Sequence, residues 1–209
     1  MSAAQWGWYP LADGWAARIV DAAGVRPGEL VLDLGAGHGA LTRHLVRAGA
    51  RVIAVELHPG RCAVLRSRFA GMPVRVVEGD LRQVPLPRRP FRVVANPPYH
   101  LTAELLRRLL ARDSALVAAD LVLQQGAVRA FAHGRGPDRW RRTWLLSEGM
   151  PLPRSAFLRP PTVDSRLLVI RRVGPAPRPD RRPRPKALDG HTLAQLEPSD
   201  DTSTYRQPI

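Results

Sequence analysis

Asn96-Pro97-Pro98-Tyr99 follows a strand-like segment, and its residue types suit one kind of chemistry. Two prolines fix φ and remove two N–H donors, so the carbonyls are left to face a ligand. The Asn96 side-chain oxygen and the Pro97 carbonyl can then accept the two hydrogens of a planar amino group. Those bonds pull the nitrogen towards a tetrahedral shape and free its lone pair for in-line attack on a methyl carbon. No general base of matched pKa is needed, because the proton can leave after transfer. Orientation and pre-placed acceptors would supply the rate. Tyr99 offers a flat face on which an unpaired base can stack.

A second set of residues points to an adenosine-bearing cofactor. Asp33-Leu34-Gly35-Ala36-Gly37-His38-Gly39 joins a strand-like run to a helix-like one. Glycines there let the backbone turn sharply and approach a ligand closely, as loops for NAD, flavin or S-adenosylmethionine all require. It lacks the lysine of a phosphate-binding P-loop. Glu56 ends the next strand-like run, where a carboxylate can accept both hydroxyls of a ribose. Asp80 follows the third run, placed to accept an exocyclic amine, and Leu57 and Leu81 can sandwich the ring. His38, His58 and His100 flank the proposed site one to a loop, which is not a metal-ligand set.

These positions require a scaffold of alternating elements. Residues 30–34, 51–56, 74–77, 91–95 and 115–123 read as strands, and 143–150 and 167–172 can supply two more. Residues 40–48, 59–69 and 101–111 have helical spacing. This alternation predicts an α/β fold with a mostly parallel, Rossmann-like sheet, helices on both faces, and binding loops at the strands' carboxyl ends.

The chain has 209 residues and a formal net charge of +14, and only Lys186 among its 32 bases is a lysine. Codon bias explains arginine in place of lysine but not so large an excess of bases, which favours a polyanionic partner, namely nucleic acid. From residue 171 onwards eight bases oppose five acids, so most of the surplus stays with residues 1–170. The segment 171–186 has proline at nearly every second or third place and predicts no helix or inner strand. We therefore divide the chain into a catalytic domain, 1–172, and a disordered Pro/Arg-rich tail, 173–209. Arg171, Arg172, Arg178, Arg181, Arg182 and Arg184 would be a flexible RNA contact. Arg135 to Arg142, with Trp140, is a further candidate contact. One cysteine, Cys62, excludes an internal disulfide. No apolar run approaches a membrane span and the start lacks a signal-peptide core, so a cytoplasmic protein is expected.

Together the segments resemble S-adenosylmethionine-dependent methyltransferases of amino nitrogens. The late segment 152–165, with Phe157 and Pro160-Pro161-Thr162-Val163-Asp164-Ser165, is similar to that of the ribosomal RNA adenine N6-methyltransferases. Trp6-Gly7-Trp8, residues 93–102 (VVANPPYHLT) and residues 116–124 (LVAADLVLQ) resemble their erythromycin-resistance type from high-GC actinobacteria. The resemblance implies S-adenosyl-L-methionine as cofactor and, as partner, 23S ribosomal RNA, methylated at one adenine of the peptidyl-transferase loop; a monomer is expected, although the sequence itself does not give the oligomeric state. It implies Asn96, Pro97, Tyr99 and Phe157 as the catalytic set, with Phe157 against the flipped adenine opposite Tyr99. It implies Tyr9, Leu11, Gly35, Gly37, Glu56, Leu57, Asp80, Leu81 and Asn96 as cofactor contacts. Trp8-Tyr9-Pro10-Leu11 stands where the family often has Gln-Asn-Phe-Leu, and the family's helical C-terminal lobe would be reduced or absent. Small-subunit ribosomal RNA dimethylation is the alternative, since that branch usually has leucine at the place of Pro97; a non-catalytic RNA-binding assembly factor ranks below both.

Overall fold

The computed structural model describes residues 9–174. Short apolar runs become its inner strands. β1 (Leu30–Leu34) is buried along its whole length, and β2 (Arg51–Glu56) everywhere except Arg51. Continuous burial is what a parallel strand covered on both faces requires. β3 (Val74–Glu78), β4 (Phe91–Ala95) and β5 (Leu116–Gln124) complete the parallel part. β6 (Trp144–Leu152) and β7 (Ser165–Arg172) close a seven-stranded sheet of order β3-β2-β1-β4-β5-β7-β6, in which β7 runs antiparallel to both neighbours.

Alternation along each strand divides the core. Leu32 and Val93 face a cluster closed by Leu105 and Leu109 of α4 (Thr102–Leu109) and Phe131 of α5 (Gln125–Ala132). Val31 and Val94 face the other side, against Ile19 of α1 (Asp13–Ala23) and Leu45 of α2 (Ala40–Arg47). α3 (Pro59–Arg68) packs Leu65 and the adjoining Phe69 on Ala36 and Ala54. A four-residue α6 (Asp138–Arg141) precedes β6. Helices α1, α5 and α6 were not anticipated, although α1 buries Ala16, Ile19, Val20 and Ala23, a helical spacing.

β1 lies between β2 and β4, and its following helix, α2, packs on the face opposite to α4. The helices that follow β1 and β4 therefore leave towards opposite faces, which opens a crevice at the strands' carboxyl ends. This switch point is where the site forms.

One expectation is overturned here. Arg171 and Arg172 are not part of a flexible arginine contact; they belong to β7. Arg171 makes a two-pronged bond to the buried Asp120 carboxylate (both 2.9 Å). Arg172 donates to the carbonyls of Leu116 (2.8 Å) and Ser114 (2.7 Å) and lies over the Trp144 ring. Trp6-Gly7-Trp8, Arg178, Arg181, Arg182, Arg184 and any C-terminal lobe lie outside the described residues. Among the described residues, no helix is long and apolar enough to cross a membrane.

Candidate active site

The loop after β1 lies directly against the tetrapeptide after β4. Gly35 has φ 79°, and a Cβ there would stand 3.4 Å from Pro98 Cδ and 3.7 Å from Pro97 Cα. A Cβ there would meet the tetrapeptide at ordinary van der Waals distance, so it is the left-handed backbone at Gly35 that calls for glycine. Gly39 (φ 84°) caps α2, and a Cβ on it would come within 2.6 Å of the Phe69 ring. The glycine loop is thus held between the end of α3 and the Asn96-Pro97-Pro98 backbone.

Three carboxylates converge on this loop or its neighbours. Glu56 is buried at the end of β2, where its Oε2 accepts the Gly37 N–H (2.8 Å). Its Oε1 accepts the N–H groups of Leu57 (3.0 Å) and His58 (2.9 Å) and faces Arg61 Nη1 at 3.4 Å. A carboxylate offers about four acceptor positions, so Oε2 retains capacity for a further donor. Asp80 is turned onto Arg82, whose backbone N–H and guanidinium both donate to it. Those bonds hold the Asp80 carboxyl below its usual range and keep it ionised. Asp33, which the sequence reading left without a role, is fully enclosed and accepts the Thr42 hydroxyl at 2.6 Å. Burial pushes its carboxyl up to about 7, against the lowering effect of Thr42. An acid two positions before the first glycine of the cluster, with Thr nine positions on, was the available signal.

A strap formed by residues 9–12 crosses the site. Asn96 Nδ2 donates to the Tyr9 carbonyl at 2.7 Å. That contact occupies the amide's donor side and leaves Oδ1 as the acceptor. The Tyr9 ring stacks on Tyr99, with centroids 5.5 Å apart and planes at 29°. The Tyr99 hydroxyl is fixed to Ser165 Oγ (2.7 Å) at the start of β7, and burial raises its pKa. Leu11 pairs with Phe157 in an antiparallel bridge, Ala12 N donates to Ala156 O (2.9 Å), and Leu158 N donates to Pro10 O (2.8 Å). Tyr9, Leu11, Asn96, Tyr99 and Phe157 are thereby joined in one assembly.

The structure brings most of the expected residues together, but not all in the expected manner. A cleft of about 250 Å³ is lined by Leu11, Gly35, Ala36, Asn96 and Leu158, among others, and also by Asp33. Glu56 and Asp80 stand outside that lining. Leu57 is 44% exposed, whereas Leu81 is enclosed in the larger core cluster, so the two do not present a symmetric pair of faces. Phe157 is buried among Leu11, Leu152 and Leu167, and the ring stacked on Tyr99 is that of Tyr9. His58 serves as the cap of α3, its Nδ1 accepting the Gly60 N–H. Cys62 is a buried residue of the same helix, and burial pushes its thiol up. Trp140 is buried against Phe131 and offers no stacking surface, while Arg141 donates to the Gly134 carbonyl.

Comparison with known proteins identifies the family and the fold. The family described as ribosomal RNA adenine dimethylase matches residues 13–182. A ribosomal RNA small subunit methyltransferase A of Synechococcus sp. (strain JA-3-3Ab) is 36% identical over 166 residues, 74% of this chain and 59% of that protein. An rRNA adenine N-6-methyltransferase of Corynebacterium diphtheriae is 36% identical over 149 residues, 69% of this chain and 58% of that protein. The chain thus spans about three fifths of the length of these curated relatives. Among solved structures, the 23S rRNA methyltransferase ErmE superposes with a TM-score of 0.72 at 29% identity, covering 80% of this chain and 71% of that one. A dimethyladenosine transferase from Plasmodium falciparum shares the fold at a TM-score of 0.68 and 23% identity, covering 79% and 63%.

Proposed function

The chain belongs to the ribosomal RNA adenine dimethylase family, and we propose that it transfers methyl groups from S-adenosylmethionine to N6 of an adenine in ribosomal RNA. The observation that carries this reading is the contact of Gly35 with Asn96-Pro97-Pro98 at the switch point of the sheet. It sets a loop able to accept a cofactor beside a pair of acceptors able to hold an amino group. The residues fit the cofactor: the Gly35 cradle is one that a Cβ would fill, and Glu56 keeps acceptor capacity for a ribose. Gly35, Gly37 and Leu11 would line its place, Glu56 would hold its ribose, and Asp80 its adenine amine on exchange with Arg82. When bound, S-adenosylmethionine supplies an electrophilic methyl on a sulfonium.

The chain's own residues would do the rest. Asn96 Oδ1, its amide orientation set by the Tyr9 carbonyl, accepts one N6 hydrogen, and the Pro97 carbonyl accepts the other. Tyr99, anchored by Ser165, supplies a stacking face on the side of its ring that Tyr9 does not cover. Phe157 would frame the base pocket through the strap it is bridged to. Pre-placed acceptors of this kind need no reorganisation during reaction, which is the source of their effect.

Two branches of substrate remain, each favoured by a specific observation. The names of the relatives at 34–36% identity, mostly small subunit methyltransferase A, support an adenine of the small-subunit RNA. That reverses the order taken from the sequence, where the 23S resistance type came first. Pro97 in the tetrapeptide's second place and the likeness to ErmE support the large subunit. Primer extension on both ribosomal RNAs, from cells with and without the gene, separates the two. A gene-dependent stop at a small-subunit or a large-subunit adenine assigns the branch. Absence of a stop in either RNA, with no label passing from cofactor to RNA in vitro, would refute methyl transfer to adenine.

A further inference from the structure

The loop between β6 and β7 carries a side chain that neither the core nor the acceptor pair uses. Leu158 is 75% exposed, more than any other large apolar residue described, and it lines the rim of the cleft that Asn96 also lines. Its exposure is not a matter of slack. Phe157, next to it, is buried and bridged to Leu11, and Leu158 N donates to Pro10 O at 2.8 Å. Arg154 Nε donates to the Pro161 carbonyl at 3.0 Å, which closes the loop on itself. A rigidly mounted aliphatic side chain is therefore held in water at the entrance of the site.

We propose that Leu158 is a wedge that enters the base stack of the RNA and fills the place left when the target adenine swings into the site. This rests on the reading of the chain as a ribosomal RNA adenine methyltransferase. A base that leaves its stack forfeits contact on both faces, and an inserted apolar side chain replaces part of it. The surroundings match such a role. Arg159 is exposed beside Leu158 on the same loop, and Arg43 and Arg68 line the same cleft, Arg43 paired with Asp13 and Arg68 donating to the His38 carbonyl, so cations suited to the flanking phosphates share the cleft with the aliphatic tip.

The test compares two ribosomal RNA fragments carrying the methylated adenine, one intact and one with abasic residues in place of both its neighbours. Without neighbours there is no stack for a wedge to enter. Single-turnover rates at saturating cofactor are measured for the wild type, Leu158→Ala and Leu158→Met. Leu158→Ala is expected to slow the intact fragment about tenfold more than the abasic-flanked one, the scale of one lost stacking contact. Leu158→Met is expected to keep the wild-type ratio. A 2-aminopurine in place of the target adenine adds a second readout, with its fluorescence rise on binding diminished in Leu158→Ala. Equal slowing of both fragments, or no slowing of either, overturns the wedge while leaving methyl transfer in place. A wild-type chain that methylates neither fragment removes the underlying reading, and the wedge with it.

Discussion

Burial of Asp33 beneath the glycine loop has a consequence that can be measured without any substrate. With its carboxyl pushed up to about 7, the folded chain holds a proton that the unfolded chain, titrating near 4, has already lost. Stability conferred by that proton is full below about pH 4, falls as the pH rises towards 7, and is level above it. Asp33→Asn keeps an acceptor for Thr42 and cannot ionise. Its stability advantage over the wild type should grow across that window to at most about 4 kcal/mol. Denaturant unfolding at several pH values checks this; an advantage that does not change with pH contradicts it. At this scale the motifs were readable because each lies within a few consecutive residues: the glycine cluster, the strand-end acids, the proline-rich tetrapeptide. The Tyr9 contact with Asn96 spans 87 positions, and nothing in either segment announces the other. Leu158 was equally hidden, since exposure of one leucine follows only from how its loop is pinned.

Among the elements, β7 joins two regions of the sheet through charge as well as through its ladder. Asp120 of β5 is buried, which raises its pKa, while Arg171 opposes that rise. Removing Arg171 leaves a buried carboxylate with Arg92 at 3.9 Å as its remaining cation among the ion pairs described. Because Arg171 is about a third exposed, Arg171→Ala is expected to cost about 2 kcal/mol, less than for a fully buried pair. The cost should be larger at pH 8 than at pH 5, because protonation of Asp120 relieves the uncompensated charge. Thermal melts of the two chains at both pH values decide the point; an equal or greater loss at pH 5 contradicts it. The inner parallel strands β1 and β2 were legible as short apolar runs. The direction and position of β7 were not, since an apolar pattern carries no sign of which way a strand runs or beside which strand it inserts. That is why Arg171 and Arg172 read as the start of a basic tail.

For the whole molecule, a surplus of +14 carried almost wholly by arginine argues for phosphate recognition. Binding of ribosomal RNA fragments is expected to weaken steeply with salt, by about a hundredfold or more between roughly 50 and 200 mM. We also propose that residues 175–209, with Arg178, Arg181, Arg182 and Arg184, add to this attraction. A chain ending at Gly174 should then show a shallower plot of log affinity against log salt. An unchanged slope would remove the tail from RNA binding. Net charge was legible from composition alone, whereas its distribution was not: Arg92, Arg108, Arg171 and Arg172 spend their donors on carbonyls and buried acids rather than on a partner.

The account depends most on Asn96 as an acceptor that activates nitrogen. Asn96→Ala should remain folded and bind S-adenosylmethionine within a few-fold of the wild type, measured by calorimetry. In the same preparation, single-turnover methyl transfer to a ribosomal RNA fragment at saturating cofactor should fall by about a hundredfold or more. Transfer at the wild-type rate by a folded, cofactor-loaded Asn96→Ala chain would contradict the mechanism.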